Sequence, residues 1–262
     1  MMSLKRNYGW RPDLPDWRDK EFMLAAPVTL PHSTDLRPQC PPVYDQGDLG
    51  SCTANAIAAA VDFERQRQKL RFITPSRLFI YFNERVMEHT IASDSGAMIR
   101  DGIKSVAKQG VCPEVEWPYD ISRFCQRPPM QCYTDALKDR ALQYSRISAG
   151  LVAMKLCLAS GFPFVFGFTV YESFESDEVA KTGIAPMPKP DEAALGGHAV
   201  MAVGYDDGMK WFIVRNSWGE KWGMKGYFTL PYAYVADNNL ADDRWTIRLV
   251  SEQVKASDET GD

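Results

Sequence analysis

The sequence predicts an α+β chain: a mainly helical first part, an antiparallel second part, and a cleft available between them. Three observations carry that expectation. Apolar residues recur at helical spacing between about residues 52 and 109, short apolar runs separated by turn residues dominate after about residue 145, and no stretch repeats at solenoid periods.

Residues 1–33 place Trp10, Pro12, Pro15, Trp17 and Pro27 at short intervals with no helical or strand period. They read as an extended strap that packs Trp10, Leu14 and Trp17 on a preformed surface, either a structural brace or a built-in blocker of the cleft. A helical part follows over 34–140. From Cys52 to Leu70, Ala54, Ile57, Ala58 and Val61 share one face while Asp62, Gln66 and Lys69 fall elsewhere. Thr74-Pro75 reads as an N-cap and first-turn proline opening a helix through about Met87. A third helix, about Ala97 to Gln109, buries Ile99, Ile103 and Val106 and stops at Gly110.

The antiparallel part spans 141–250. Ser148 caps a helix carrying Leu151, Met154 and Leu158, ended by Gly161. Strands are expected over Phe162 to Tyr171, Ala199 to Tyr205, Trp211 to Ser217, Gly226 to Leu230 and Trp245 to Val250, with Asp207-Gly208 as a hairpin turn. The acidic stretch Glu172 to Glu178 reads as a solvated loop, Pro186 to Ala194 as part of the cleft rim, and 251–262 as a polar, frayed tail.

Composition narrows the function classes. The 262 residues are 45% hydrophobic and 24% charged, as in ordinary globular proteins. A net charge of −4 supplies no basic field for a nucleic-acid partner. The longest apolar stretch, Gly161 to Val170, falls far short of the ~18 residues of a spanning helix, so a soluble protein without a membrane partner is expected. Lys5 and Arg6 are followed by Asn7-Tyr8-Gly9-Trp10-Arg11-Pro12, not by an apolar core, so no standard secretory signal is read and the compartment stays open. Six cysteines without a Cys-x-x-Cys pair make neither a disulfide scaffold nor a zinc site of common spacing. Histidine chemistry has three candidates: His32, His89 and His198.

Cys52 stands where the glycine-rich loop Gln46-Gly47-Asp48-Leu49-Gly50-Ser51 meets the first turn of a helix. Free N–H groups and the positive end of the dipole favour a thiolate there, and a nearby imidazolium helps lower such a thiol to ~3.5–7.5. His198, after Gly196-Gly197, starts a strand and is placed to pair with the thiol and later protonate a leaving amine. Asn216, on the strand reached through the Asp207-Gly208 hairpin, offers an amide oxygen to the second imidazole nitrogen. Gln46 can bring its amide beside the Cys52 N–H as an oxyanion donor. Trp218 is placed to cover the His198–Asn216 contact. Any one of these residues alone has a plain structural explanation.

Together, Gln46 with Gly50-Ser51-Cys52, His198-Ala199-Val200, Asn216-Ser217-Trp218-Gly219 and Trp222-Gly223 resemble the papain-like cysteine peptidases, from about Asp35 to near residue 230. The resemblance implies a two-lobed fold, a helical lobe beside an antiparallel β-barrel-like lobe with the active site in the cleft between them. It implies a polypeptide substrate, no cofactor or metal, and catalytic roles for Gln46, Cys52, His198 and Asn216. It also places Ser95, Gly96, Gly197 and Trp218 on the substrate side, with Ser95-Gly96 similar to the glycine pair that meets the residue two before the cut. Two departures stand out: Leu49 replaces a disulfide cysteine, and Thr53 replaces an aromatic residue. The short leading segment fits a compact bacterial-type member. Cys125 and Cys132 are spaced to close a local loop, and Cys157 reads as a buried helix residue. A transpeptidase or ligase using the same acyl-enzyme, and a non-catalytic binding protein, are the alternatives.

Overall fold

The protein is described here by a computed structural model covering residues 7–23 and 29–251. Residues 1–6, residues 24–28 with Pro27, and the tail from 252 lie outside the described residues.

The helices α1 (Cys52–Arg67), α2 (Arg77–Met87) and α3 (Ile99–Gln109) come first and pack on one another. α1 is not the amphipathic helix expected from its sequence. Every residue from Cys52 to Arg65 is buried, Asp62, Glu64 and Arg65 included. The reason is its position: it touches α2 and α3 on one side and the sheet on the other, so its alanines allow close approach all round. α2 starts two residues later than Thr74-Pro75 suggested. Ser76 is the cap, its hydroxyl accepting the Phe79 N–H at 3.1 Å, while Pro75 bridges to Pro113. α3 buries Ile99, Ile103 and Val106 and ends at Gly110, whose φ of 78° suits glycine.

The sheet uses β1 (Ser33–Asp35), β2 (Ala141–Arg146), β3 (Phe164–Tyr171), β4 (Ala194–Asp206), β5 (Trp211–Arg215), β6 (Tyr227–Pro231) and β7 (Ala241–Val250). Its order is β2-β7-β3-β4-β5-β6, every pair antiparallel, with β1 joined to the end of β4. Among the described residues β2 and β6 do not pair. The expected barrel-like closure is therefore corrected to an open sheet, with register shifts in β2–β7, β3–β4, β3–β7 and β4–β5.

Short helices α4 (Met130–Ala136), α5 (Leu151–Ala159), α6 (Asp177–Thr182) and α7 (Tyr232–Ala236) fill the connections. α5 begins after Gly150, not Ser148. The stretch 172–178 is not a plain solvated loop: it forms a 3-10 turn and the start of α6, and it buries Phe174 among aromatic rings. Cys157 is buried in α5 as expected, but Cys125 is exposed and does not pair with Cys132. α4 turns Cys132 inward to Cys112 instead.

Candidate active site

Ser51 ends the glycine-rich loop and Cys52 is the first residue of α1, completely buried. The loop is held by side chains without an obvious sequence signal. Asp94 accepts the Gly50 N–H at 3.0 Å, and the Tyr119 hydroxyl meets Ser51 Oγ at 2.5 Å and donates to the Gln46 carbonyl at 2.9 Å. Gln46 is itself fixed: its Nε2 donates to the Leu49 carbonyl at 3.0 Å, and the Ser217 hydroxyl donates to its Oε1 at 2.6 Å. Thr53, in the place of an aromatic residue, turns into the core and donates to Glu84 at 2.6 Å.

β4 delivers His198 and β5 leads into Asn216. The His198 Nε2 lies 2.8 Å from Asn216 Oδ1, and both residues are buried. That oxygen also accepts the Ser217 N–H at 2.8 Å, which aims the carbonyl end of the amide at the ring. Trp218 stacks on the imidazole, with centroids 4.9 Å apart and planes inclined by 26°. The residue after the histidine, Ala199, directs its N–H at the Cys52 sulfur. The four residues singled out for chemistry thus converge where α1 meets β4.

Asn7 to Arg11 run through this convergence. Tyr8 lies edge-on to His198 with centroids 6.2 Å apart, and its hydroxyl bonds to Glu175. The Gly9 N–H points at the Cys52 sulfur, and its carbonyl accepts the Ala97 N–H at 2.7 Å. The Trp10 N–H donates to the Gly197 carbonyl at 2.8 Å, and the Arg11 N–H to the Ala97 carbonyl at 3.0 Å. Gly96, at φ 66°, is pressed against the Gly9 backbone: a Cβ there would stand 2.1 Å from the Gly9 carbonyl oxygen. Gly96 and Gly197 therefore both touch the strap. Ser95 turns its hydroxyl to the Gly96 carbonyl at 3.1 Å.

Burial works against the thiolate expected at Cys52. It pushes this thiol up to about 12, against the downward pull of the Ala199, Gly9 and Thr53 N–H groups.

A groove of about 780 Å³ lies elsewhere, between Arg18–Lys20, Lys104 and β2, and none of the four residues lines it. Among the described residues, one group of potential metal ligands occurs away from Cys52. The ligand atoms of Cys112, Glu116 and Cys132 all lie within 4.8 Å of one another.

Comparison with known proteins fits this geometry. A family model described as papain family cysteine protease matches residues 30–243. An uncharacterized peptidase C1-like protein of Acanthamoeba polyphaga mimivirus is 47% identical, the match covering 96% of this chain and 90% of that one. Cathepsin B-like CP3 of Giardia intestinalis is 31% identical over 79% of this chain and 71% of its own length. Among solved structures, xylellain, a cysteine protease from Xylella fastidiosa, superimposes with a TM-score of 0.86 at 45% identity, covering 95% of this chain and 98% of its own.

Proposed function

The chain belongs to the papain family of cysteine proteases, and from that premise we propose that Cys52, His198, Asn216 and Gln46 carry out the hydrolysis of a peptide bond. The observation that carries this assignment is the fixed His198: one ring nitrogen is held by Asn216 at 2.8 Å, and the next residue's N–H points at the Cys52 sulfur.

With the cleft open, His198 takes the thiol proton and the Cys52 sulfur attacks the carbonyl carbon of an extended polypeptide. The carbonyl electron pair moves to oxygen, where the Cys52 N–H and the Gln46 amide receive it. The C–N bond then breaks, and the imidazolium gives its proton to the departing amine. A thioester remains. Water, deprotonated by His198, attacks it and releases the acid and the thiol. Asn216 fixes the tautomer and ring angle throughout. Residues 34–140 and 141–250 act as the two walls that close on the peptide, with Ser95, Gly96 and Gly197 on the substrate side.

Residues 7–11 act as an intramolecular blocker. They borrow the backbone groups of Ala97 and Gly197 and cover the sulfur, so a peptide and the strap compete for one place. Cleavage of a peptide library under reducing conditions tests the nucleophile. Cys52→Ala is expected to lower turnover by about a thousandfold or more while the thermal unfolding midpoint stays near that of the wild type. Cleavage by that variant at the wild-type rate overturns the assignment.

A further inference from the structure

The strap does more than cover the sulfur: it shows the shape and chemistry of a side-chain pocket beside it. The Trp10 indole lies in a flat slot on the face of the paired strands β3 and β4. A Cβ at Gly167 would stand 2.0 Å from the indole Cε2, and one at Gly197 would stand 2.7 Å from its Cε3. Two glycines on one face of neighbouring strands thus leave a flat seat for an aromatic ring. Asp243, from β7, closes the far end and accepts the indole Nε1–H at 3.0 Å. Its carboxylate is buried, and its backbone is held at φ 54°, a conformation uncommon for a residue with a side chain.

The two carboxylate oxygens of Asp243 have different partners. Oδ1 faces Arg146 of the body at 3.2 Å. Oδ2 is served by the strap, through the Trp10 Nε1–H and the Asp13 N–H at 2.7 Å. When the strap leaves, Oδ2 loses both donors and remains at the end of a ring-shaped slot. A buried acceptor without a donor is costly, so whatever enters next is selected for an N–H.

We propose that this slot is a specificity pocket for the substrate, that it selects polypeptides presenting tryptophan to it, and that Asp243 is the residue that reads the indole N–H. The proposal rests on the reading that the strap occupies the substrate's place. The strap that carries Trp10 runs against Gly96 and Gly197; by the resemblance Ser95-Gly96 meets the residue two before the cut, so that residue is the one selected.

A cationic side chain fits less well. Arg146 already pairs with Asp243 Oδ1 at 3.2 Å, so a second cation at Oδ2 would stand beside a guanidinium. A neutral donor satisfies Oδ2 without that repulsion.

The test uses the full chain and four fluorogenic peptides that differ only two residues before the cut, carrying tryptophan, 1-methyltryptophan, phenylalanine or arginine. A competing strap lowers kcat/KM for all four by one common factor, so their ratios report the pocket alone. The wild type is expected to favour tryptophan over 1-methyltryptophan and phenylalanine by about tenfold or more. Asp243→Gly, which suits the positive φ, is expected to remove that preference; Asp243→Asn keeps an acceptor and retains part of it. Equal cleavage of tryptophan and 1-methyltryptophan peptides by the wild type overturns the pocket, as does a preference for arginine. The blocker reading fails separately, if Gly9→Ala leaves kcat/KM for all four peptides unchanged.

Discussion

Trp218 lies almost parallel to the His198 ring, 4.9 Å between centroids, on a histidine that Asn216 holds at 2.8 Å. The indole belongs to an aromatic cluster with Phe174, Trp222 and Phe228, so the ring above the histidine is itself packed in place. It keeps water from competing for the amide oxygen.

Trp218→Ala should therefore have two separable effects. The lost packing is expected to cost about 3 kcal/mol in urea unfolding. The hydrated His198–Asn216 contact is expected to lower kcat by about tenfold or more with KM little changed, because the contact acts on the ring and not on the substrate. Trp218→Phe should restore part of both. A normal kcat in the alanine variant would remove the covering role.

Docking of the strap is expected to take up a proton. The Asp13 carboxyl is raised from the ordinary 3.8 to about 7, first by burial and then by the nearby charge of Asp243, against the N–H groups of Arg100 and Trp245 and the charge of Arg100. Arg100 of α3, Asp243 beside Arg146 of β2, and Asp19 of the strap are the charged groups around it. The released strap exposes Asp13 to water. Its docked value being the higher, docking is tightest in acid, loosens about tenfold per pH unit from near 4 to near 7, and then levels off. Amide exchange at Trp10, corrected for its intrinsic pH dependence, should show protection falling over that window. Asp13→Asn should flatten the profile, and a flat wild-type profile would exclude the linkage.

The convergence of Gln46, Cys52, His198 and Asn216 was legible because the signals are local. A glycine loop before Cys52, two glycines before His198 and a hairpin before Asn216 each announce a backbone geometry. The open sheet was not legible, since closure depends on whether two remote edges, β2 and β6, meet. Nor was the burial of Asp62 and Glu64, which polarity alone assigns to solvent. The slot for Trp10 needs Gly167, Gly197 and Asp243, three residues whose shared purpose exists only after β3, β4 and β7 pair. Tyr119 and Asp94, which brace the loop before Cys52, carry no pattern that distinguishes them from other loop residues. Ser217 stood within a motif, but its bond to Gln46 joins two distant segments.

Glu84 is expected to favour its protonated form in the fold. Burial holds its carboxyl well above the usual range, with the Thr53 hydrogen bond and the charge of Arg85 pulling the other way. Glu84→Gln keeps the shape and the acceptor for Thr53 and should change stability at pH 6 by less than about 1 kcal/mol. Glu84→Ala leaves a cavity and a stranded hydroxyl, and should cost about 2–4 kcal/mol. The folded value being raised, Glu84 contributes most in acid and progressively less as pH rises above 4.5. Urea unfolding from pH 5 to 8 should therefore show Glu84→Gln gaining on the wild type. A constant difference would mean the carboxyl ionises alike in both states.

Thiol reactivity should report the strap directly. Cys125 is exposed, whereas Cys52, Cys112, Cys132 and Cys157 are buried, and Cys52 is held near 12 while the strap covers it. Iodoacetamide attacks only the thiolate, so in the resting chain at pH 7 it should modify Cys125 first and Cys52 slowly. Gly9 is the point at which to change that order. A Cβ there would stand 1.7 Å from the Gly50 carbonyl oxygen, a backbone atom that cannot swing aside. The Gly9→Ala strap must lift, while Gly50 stays anchored by its hydrogen bonds to Asp94. In that variant Cys52 should become the faster of the two, by about tenfold or more relative to the wild type, because solvent returns to the sulfur and His198 can take its proton. Peptide mapping at short labelling times separates the sites. Unchanged labelling of Cys52 in Gly9→Ala would show that residues 7–11 do not control access to it.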